Sequence, residues 1–374
     1  MTITLPGGVG RNAGPILYGP EIDAAAAALR AGHYGHGPLT VRFEQQLAAF
    51  LGVPDVVAVA TGTVALQLAL LAAGVGPGDE VIVPSLTFCS SVQAIVATGA
   101  RPVFVEVDKT SLCVRADEVL AALTPATKAV LPVLYCGRAV DLTAIQPHLD
   151  ERGIAIVEDA AQAFGSDLHG RLVGSNPQLL TCFSFGPMKN LTCCEGGAIV
   201  PRTPEQATVL RRMRTVGIAQ SLAQRSASTT YDVIGFGLRA HLQSLNAAIG
   251  SAQLAHFDQV CTIRRRLWHR YATALAGLPD VALTDVDIDH TIPFNLVVQV
   301  PDRDRVFHQM HDAGIGVGVH YPPNHLQPAF AAWTTSLPVT EQIGARVLSL
   351  PFHPSLPVDD VDQVVAALRD ALHG

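Results

Sequence analysis

Cysteine is sparse and unpatterned in this sequence: seven residues, no C-x-x-C spacing, and two of them adjacent at Cys193-Cys194. An odd count of this kind argues against a disulfide framework and for ordinary core thiols in a reducing compartment. Charge is scarce as well. Asp, Glu, Lys and Arg make up 15% of the chain, while the apolar set reaches 49%, which excludes a disordered or coiled-coil protein. Lys+Arg 25 against Asp+Glu 32 leaves a net charge of −7, so there is no general pull on nucleic acid or an anionic membrane. The one basic cluster, Arg264-Arg265-Arg266, reads as a single solvated helix face. The first fourteen residues, MTITLPGGVGRNAG, have no basic region leading into an apolar core. No signal peptide is expected, and the protein is expected to be cytoplasmic. The uncharged run 56–75 contains Thr61-Gly62-Thr63 and Gln67 and is followed by a Pro-Gly-Asp turn. A buried strand, turn and helix account for it better than a membrane span.

What is present is a chain of 374 residues, long enough for a large core and two domains. Apolar, β-rich runs recur at 81–84, 102–107, 128–135, 153–157, 179–185 and 197–200, with helix-like segments such as 62–74, 114–123 and 140–150 between them. This alternation predicts an α/β fold with a mostly parallel sheet covered by helices on both faces. Pro132 sits awkwardly in one of these runs, since proline cannot donate to a sheet ladder. From 242 to 275 the pattern turns helical, with a break expected near Gly250. A strand at 294–300, a helix near 304–312, a strand at 314–321 and a last helix at 361–372 follow, a smaller α+β unit. The expected organisation is an N-terminal arm at 1–14, a large domain at 15–250 and a small C-terminal domain at 251–374.

Ligands of open parallel sheets bind beyond the carboxyl ends of the strands, and several chemistry-bearing residues fall there. Thr61-Gly62-Thr63 follows an apolar run and opens a helix, which suits either a phosphate site or a simple N-cap. Asp159 ends the apolar strand in IVEDAAQAFG, as an N-cap or as the partner of a buried cation, and Gln162 is expected one turn on along the same helix face. Lys189 follows another buried strand in FSFGPMKN, five residues after Ser184. It is either a surface lysine on a loop or an amine whose pKa burial lowers toward the neutral form that Schiff-base chemistry needs. In combination, a phosphate turn, an acid, a hydroxyl and a lysine at successive strand ends are the set that pyridoxal phosphate requires. Other signals carry less. Gly8-x-Gly10-x-x-Ala13 imitates a dinucleotide fingerprint, but Pro15 follows where a helix should run. His33/His36 and His320/His325 have no cysteine or carboxylate to complete a metal site.

The strings TGTVALQLALLAAGVGPGDEVIVPSLTF, VEDAAQAFGSDLHGRLVG, FSFGPMKNLTCCEGGA and GVGVHYPPNHLQ…LPVTE…LSLPFHP resemble the DegT/StrS family, the sugar aminotransferases among the fold-type-I pyridoxal-phosphate enzymes. The resemblance runs from about Tyr34 to the C-terminus. It implies that Lys189 forms the Schiff base with pyridoxal 5′-phosphate and moves the proton between the donor Cα and cofactor C4′. It implies that Asp159 pairs with the pyridine nitrogen, Gln162 contacts the ring oxygen, Gly62, Thr63 and Ser184 hold the phosphate, and Phe88 lies against the ring. His320 and Tyr321 fall where the family places substrate contacts. The reaction implied is ping-pong transfer of an amino group from an amino acid, by family analogy L-glutamate, to a keto-sugar, a nucleotide-linked keto-deoxysugar. The resemblance also implies a homodimer with its active sites at the interface.

Three positions depart from the family pattern. Gly235-Phe236-Gly237-Leu238-Arg239 stands where many relatives have G-x-N-x-R, whose asparagine reaches the neighbouring subunit's phosphate; Gly237 leaves that donor missing, or supplied otherwise, for example by Arg239. Cys194 replaces a common glycine, and Phe164 a common histidine. An aminocyclitol aminotransferase would share every one of these catalytic residues. A sugar dehydratase on the same scaffold commonly has histidine in place of the lysine, so Lys189 counts against it. A non-catalytic regulatory homologue predicts a disrupted cofactor site.

Overall fold

The large sheet begins with β1 (Val57–Val59), β2 (Glu80–Pro84), β3 (Arg101–Val105), β4 (Thr127–Val130) and β5 (Ala155–Asp159) in the computed structural model, which describes residues 7–373. A two-residue hairpin, β6 (Asp167–Leu168) and β7 (Arg171–Leu172), precedes β8 (Leu180–Ser184) and β9 (Gly197–Val200). The seven long strands are ordered β1-β9-β8-β5-β4-β2-β3. All neighbours are parallel except β9, which runs antiparallel to both β1 and β8. Two antiparallel pairings in succession leave β1 parallel to β8, so the carboxyl ends of β1, β2, β5 and β8 share one edge of the sheet.

The apolar runs are continuous because both faces are covered. Ile82, Val130 and Ile156 point into one core cluster, and Val81, Ala129 and Val157 into the other. Ahead of and between these strands lie α1 (Pro20–Arg30), α2 (Pro38–Leu51), α3 (Gly62–Ala72), α4 (Cys89–Val96), α5 (Ala116–Ala121) and α6 (Gln146–Glu151), and after the last of them come α7 (Pro204–Met213) and α8 (Leu222–Ser226). The uncharged run 56–75 is the strand, turn and helix of β1 and α3.

Two further helices, α9 (Ser244–Leu254) and α10 (Phe257–Leu275), lead to a three-stranded antiparallel sheet of β10 (Ala282–Leu283), β11 (Leu296–Gln299) and β12 (Val347–Leu350). With α11 (Arg303–Asp312), α12 (Pro338–Gly344) and α13 (Asp360–His373) it completes the fold. Its core gathers Leu267 and Tyr271 of α10, Val298, Val306, Leu348, Val364 and Leu368.

Several expectations need correction. The break in the long helical stretch falls at Ala255-His256, between α9 and α10, and not at Gly250. Gly250 is interior to α9, where a Cβ would lie 2.6 Å from the Phe43 ring, so it is glycine for close packing. The segment 314–321 is not a strand; a single bridge, Gly318 to Ser349, ties it to β12. Pro132 lies past the end of β4, where its carbonyl accepts from Asp159 N–H at 2.9 Å and no ladder donor is needed. Arg264 is not on a solvated face: it is 1% exposed. Residues 1–6 of the expected arm lie outside the described residues.

Candidate active site

Asp159 ends β5 with its side chain 6% exposed. Its Oδ2 accepts from Ser91 Oγ at 2.7 Å and its Oδ1 from the Ala161 N–H at 3.1 Å. Burial pushes this carboxyl up from its ordinary range; the two donors and Lys189 pull the other way. A buried carboxylate in that condition is completed by an N–H or a cation. No helix follows Asp159. Residues 160–163 form a turn, so Gln162 does not share a helix face with the aspartate as expected. Gln162 is buried nonetheless, its Oε1 accepting from the Cys136 N–H at 2.8 Å and its Nε2 donating to the Tyr321 hydroxyl at 3.3 Å.

Lys189 sits in the turn after β8, half-buried. Its Nζ lies 4.5 Å from the centre of the Phe294 ring, and among the described residues the amine makes no hydrogen bond or ion pair. Burial lowers its pKa to about 8, against the opposing pull of Asp159 and Glu195. A minority of the amine, roughly a tenth to a quarter near pH 7 to 7.5, is then in the neutral form a nucleophile needs, far more than for an ordinary lysine.

The turn between β1 and α3 is shaped by close backbone approach. Thr61 caps α3 by accepting from the Val64 N–H at 3.2 Å. A Cβ on Gly62 would lie 2.7 Å from Ser184 Cβ, so the glycine brings the first turn of α3 against the end of β8. Gly197 is equally constrained: a Cβ there would meet the Thr61 carbonyl at 2.6 Å. Thr63 Oγ1 donates to Ser90 Oγ at 2.9 Å, tying this turn to α4. The N-terminus of α3, with its free N–H groups and dipole, and the Ser184 hydroxyl thus form a cradle of the kind that phosphates occupy. The unpartnered amine, the buried acid and this cradle fit pyridoxal phosphate.

His320 and Tyr321 close the other side. The Tyr135 hydroxyl donates to the His320 carbonyl, and His320 Nδ1 pairs with Ser349 Oγ at 2.7 Å. Burial, and secondarily Lys189, hold His320 down at about 4, so the ring is neutral. Tyr321 packs between Phe88 and Tyr135, with ring centres 5.6 and 6.4 Å away. Phe88 is 54% exposed at the mouth. Sequence reasoning missed Ser91, Tyr135, Ser349 and Phe294. Only Ser91 had a usable signal, a hydroxyl in the first turn of a helix that starts beyond a strand end.

The departures have local causes. A Cβ at Gly237 would lie 2.2 Å from the Met213 carbonyl oxygen, which also accepts from the Leu238 N–H at 2.7 Å. Arg239 is exposed. Cys194 has φ +67, which explains why glycine is common there. Phe164 is 3% exposed and packs on Phe50, Phe183, Phe185 and Phe257, so it is a core residue.

Three known structures share this architecture. DesV of S. venezuelae is 38% identical, with a TM-score of 0.87 over 94% of this chain and 93% of that one. TlmJ, an aminotransferase of Streptoalloteichus hindustanus, is 34% identical, with a TM-score of 0.90 over 97% and 98%. CalS13, a sugar aminotransferase of Micromonospora echinospora, is 30% identical, with a TM-score of 0.89 over 96% and 99%. The fold is that of the pyridoxal-phosphate-dependent aminotransferases, and the protein is an enzyme of that class, with pyridoxal 5′-phosphate as its cofactor. More narrowly, the chain belongs to the DegT/DnrJ/EryC1/StrS aminotransferase family, which it matches over residues 17–369. Among the described residues, no helix is long and apolar enough to cross a membrane.

Proposed function

We propose that this enzyme moves an amino group from L-glutamate to the ketone of a nucleotide-linked keto-deoxysugar. The observation that carries the assignment of roles is the Lys189 amine, free of any hydrogen bond or ion pair among the described residues, its pKa lowered to about 8 by burial near the buried Asp159. Lys189 forms the covalent link to the cofactor. When bound, pyridoxal phosphate supplies an electron-withdrawing ring that stabilises negative charge at the donor Cα.

Asp159, steadied by Ser91 and the Ala161 N–H, holds a proton on the pyridine nitrogen. Lys189, once released by the incoming amine, would take a proton from the donor Cα and deliver it to C4′ of the cofactor. Gln162 contacts the ring oxygen, and Phe88 covers the ring. Gly62, Thr63 and Ser184 bind the phosphate. His320 and Tyr321 line the substrate side; the neutral imidazole offers a hydrogen bond to a sugar hydroxyl without adding charge.

The reading extends to a cytoplasmic homodimer. Tyr231, Val233, Ile234 and Phe236 support the dimer: they expose 56–100% of their surface on one loop, an apolar patch that a second copy would cover. It extends also to a large domain at 15–250 and a small one at 251–374, supported by the separate core around Tyr271 and Leu348.

The test of donor and acceptor is the visible absorbance of the holoenzyme. L-Glutamate should bleach the cofactor band, and a nucleotide-linked keto-sugar should restore it. Recovery with a keto-cyclitol alone would reassign the acceptor, and no bleaching by glutamate would reassign the donor.

A further inference from the structure

Arg264 of α10 has no business on a solvated face and is not there. It is 1% exposed, and among the described residues no carboxylate lies within ion-pair distance of it. Burial lowers its pKa to about 10. Its Nη1 donates to the Phe294 carbonyl at 2.7 Å and the Pro293 carbonyl at 3.3 Å, and its guanidinium lies 5.5 Å from the centre of the Phe352 ring. Nε has no partner. A buried cation costs a great deal of solvation, and here two main-chain carbonyls and an aromatic face are what receive it.

Those carbonyls belong to a strap, 291–294, that passes beneath Lys189. Arg265 Nε donates to the Thr291 carbonyl at 3.2 Å. From the side of the large sheet, Asn190 Nδ2 donates to the Ile292 carbonyl at 3.1 Å, and the Ile292 N–H donates to Ser166 Oγ at 3.0 Å. The Phe294 N–H donates to the Cys136 carbonyl at 3.0 Å. Asn190 is the neighbour of Lys189 in the chain, so the strap and the lysine turn are fastened to each other. The result is the Phe294 ring, 8% exposed, with its face toward the lysine amine.

We propose that Arg264 is a positioning residue for the aminotransferase reaction: from α10 it seats the Phe294 ring under the Lys189 amine, and the ring face steadies the charged form of that amine. The inference rests on the assignment of Lys189 as the cofactor lysine. An aromatic face within about 6 Å attracts an ammonium, and more strongly where water is displaced. The other groups facing the amine are Asp159 from the end of β5, Glu195 from ahead of β9, and the neutral His320. Phe294 therefore works with the two acids against burial. Arg264 supplies the anchorage without adding an acid or a base to the site.

The experiment is competitive labelling of the full-length, cofactor-free chain with trace acetic anhydride across a pH series, read by mass spectrometry of lysine peptides. The chain has three lysines, Lys109, Lys128 and Lys189, and the exposed Lys109 is the internal reference. Phe294→Leu should lower the Lys189 midpoint by about half a pH unit, roughly a threefold change in the equilibrium, while Phe294→Tyr should leave it in place. Arg264→Lys, with one compact donor group in place of the planar fork, should move the midpoint in the same direction as Phe294→Leu. Should that variant not fold, Arg264→Gln is read in its place.

An unchanged midpoint in Phe294→Leu overturns the role of the ring. A loss of thermal stability in the Arg264 variant with the midpoint at its wild-type value makes Arg264 merely structural and overturns its positioning role. Mapping of the cofactor adduct fails separately: a midpoint that moves as stated, with the adduct on another lysine, would leave the seat intact and sink the assignment of Lys189.

Discussion

Ser91 Oγ donates to Asp159 Oδ2 at 2.7 Å, with both side chains buried and Thr87 Oγ1 a further 2.8 Å from the serine hydroxyl. The pair joins the first turn of α4 to the end of β5 and fixes the direction of the carboxylate proposed to hold the pyridine nitrogen. A hydrogen bond to a charged group is worth about 1.5–3 kcal/mol. Ser91→Ala should therefore weaken cofactor binding by about tenfold or more, with the fold retained, as measured by cofactor release on dialysis and by circular dichroism. Unchanged retention would show that Asp159 needs no such support.

Lys189 gives a prediction in pH. Its pKa lies at about 8 instead of the 10.5 of an ordinary lysine, so the neutral amine that captures the cofactor is formed as pH rises through 8. The rate of pyridoxal phosphate capture by the cofactor-free chain should climb with pH and level off above about 8. A rate still rising steeply at pH 10 would mean that burial does not depress this lysine. The lysine's effect on stability has the same sign: between pH 8 and 10.5 the folded chain binds fewer protons than the unfolded one, so this group adds stability as pH rises across that window.

Glu158, one residue before Asp159, points to the opposite face of the sheet and accepts from Thr181 Oγ1 at 2.6 Å. Burial pushes it up to about 7 from 4.5. Because the folded pKa is raised, its protonated form stabilises the fold fully below pH 4.5, and that contribution is lost as pH rises through 7. Glu158→Gln should be more stable than wild type at pH 8, by on the order of 2 kcal/mol, with the difference closing toward pH 5. Thermal melts at the two pH values check this.

Gly237→Asn would restore the residue that many relatives have. Here its Cβ would fall 2.2 Å from the Met213 carbonyl oxygen, so the backbone has to shift. The substitution should cost about 1–3 kcal/mol, as overpacking does, and show as a lowered Tm. An unchanged Tm would mean that the 213–238 contact yields freely.

Much of this was legible in the sequence, and the reasons are physical. The strands of the large sheet were found because each is buried on both faces and reads as an unbroken apolar run. Asp159, Lys189 and Thr61-Gly62-Thr63 stood out because polar groups immediately after such runs must be satisfied by something. Arg264 reads in sequence as solvated because its partners are main-chain carbonyls 29 and 30 residues away, which leave no mark in composition. A glycine at 250 suggests a break in the helix, but the cause of the glycine is the Phe43 ring from α2. Residues 314–321 read as a strand in sequence and are not one. Their backbone meets β12 only where Gly318 bridges Ser349; beyond it the Tyr135 hydroxyl holds the His320 carbonyl and the segment becomes the site wall.

Everything proposed for the site depends on Lys189 carrying the cofactor. Borohydride reduction of the holoenzyme, followed by peptide mapping, tests it most directly, because only Lys109 and Lys128 compete as lysine side chains. A pyridoxyl adduct is expected on the peptide containing Lys189, and none on that peptide in Lys189→Ala. An adduct confined to Lys109 or Lys128, or no adduct in a chain saturated with pyridoxal phosphate, would contradict it.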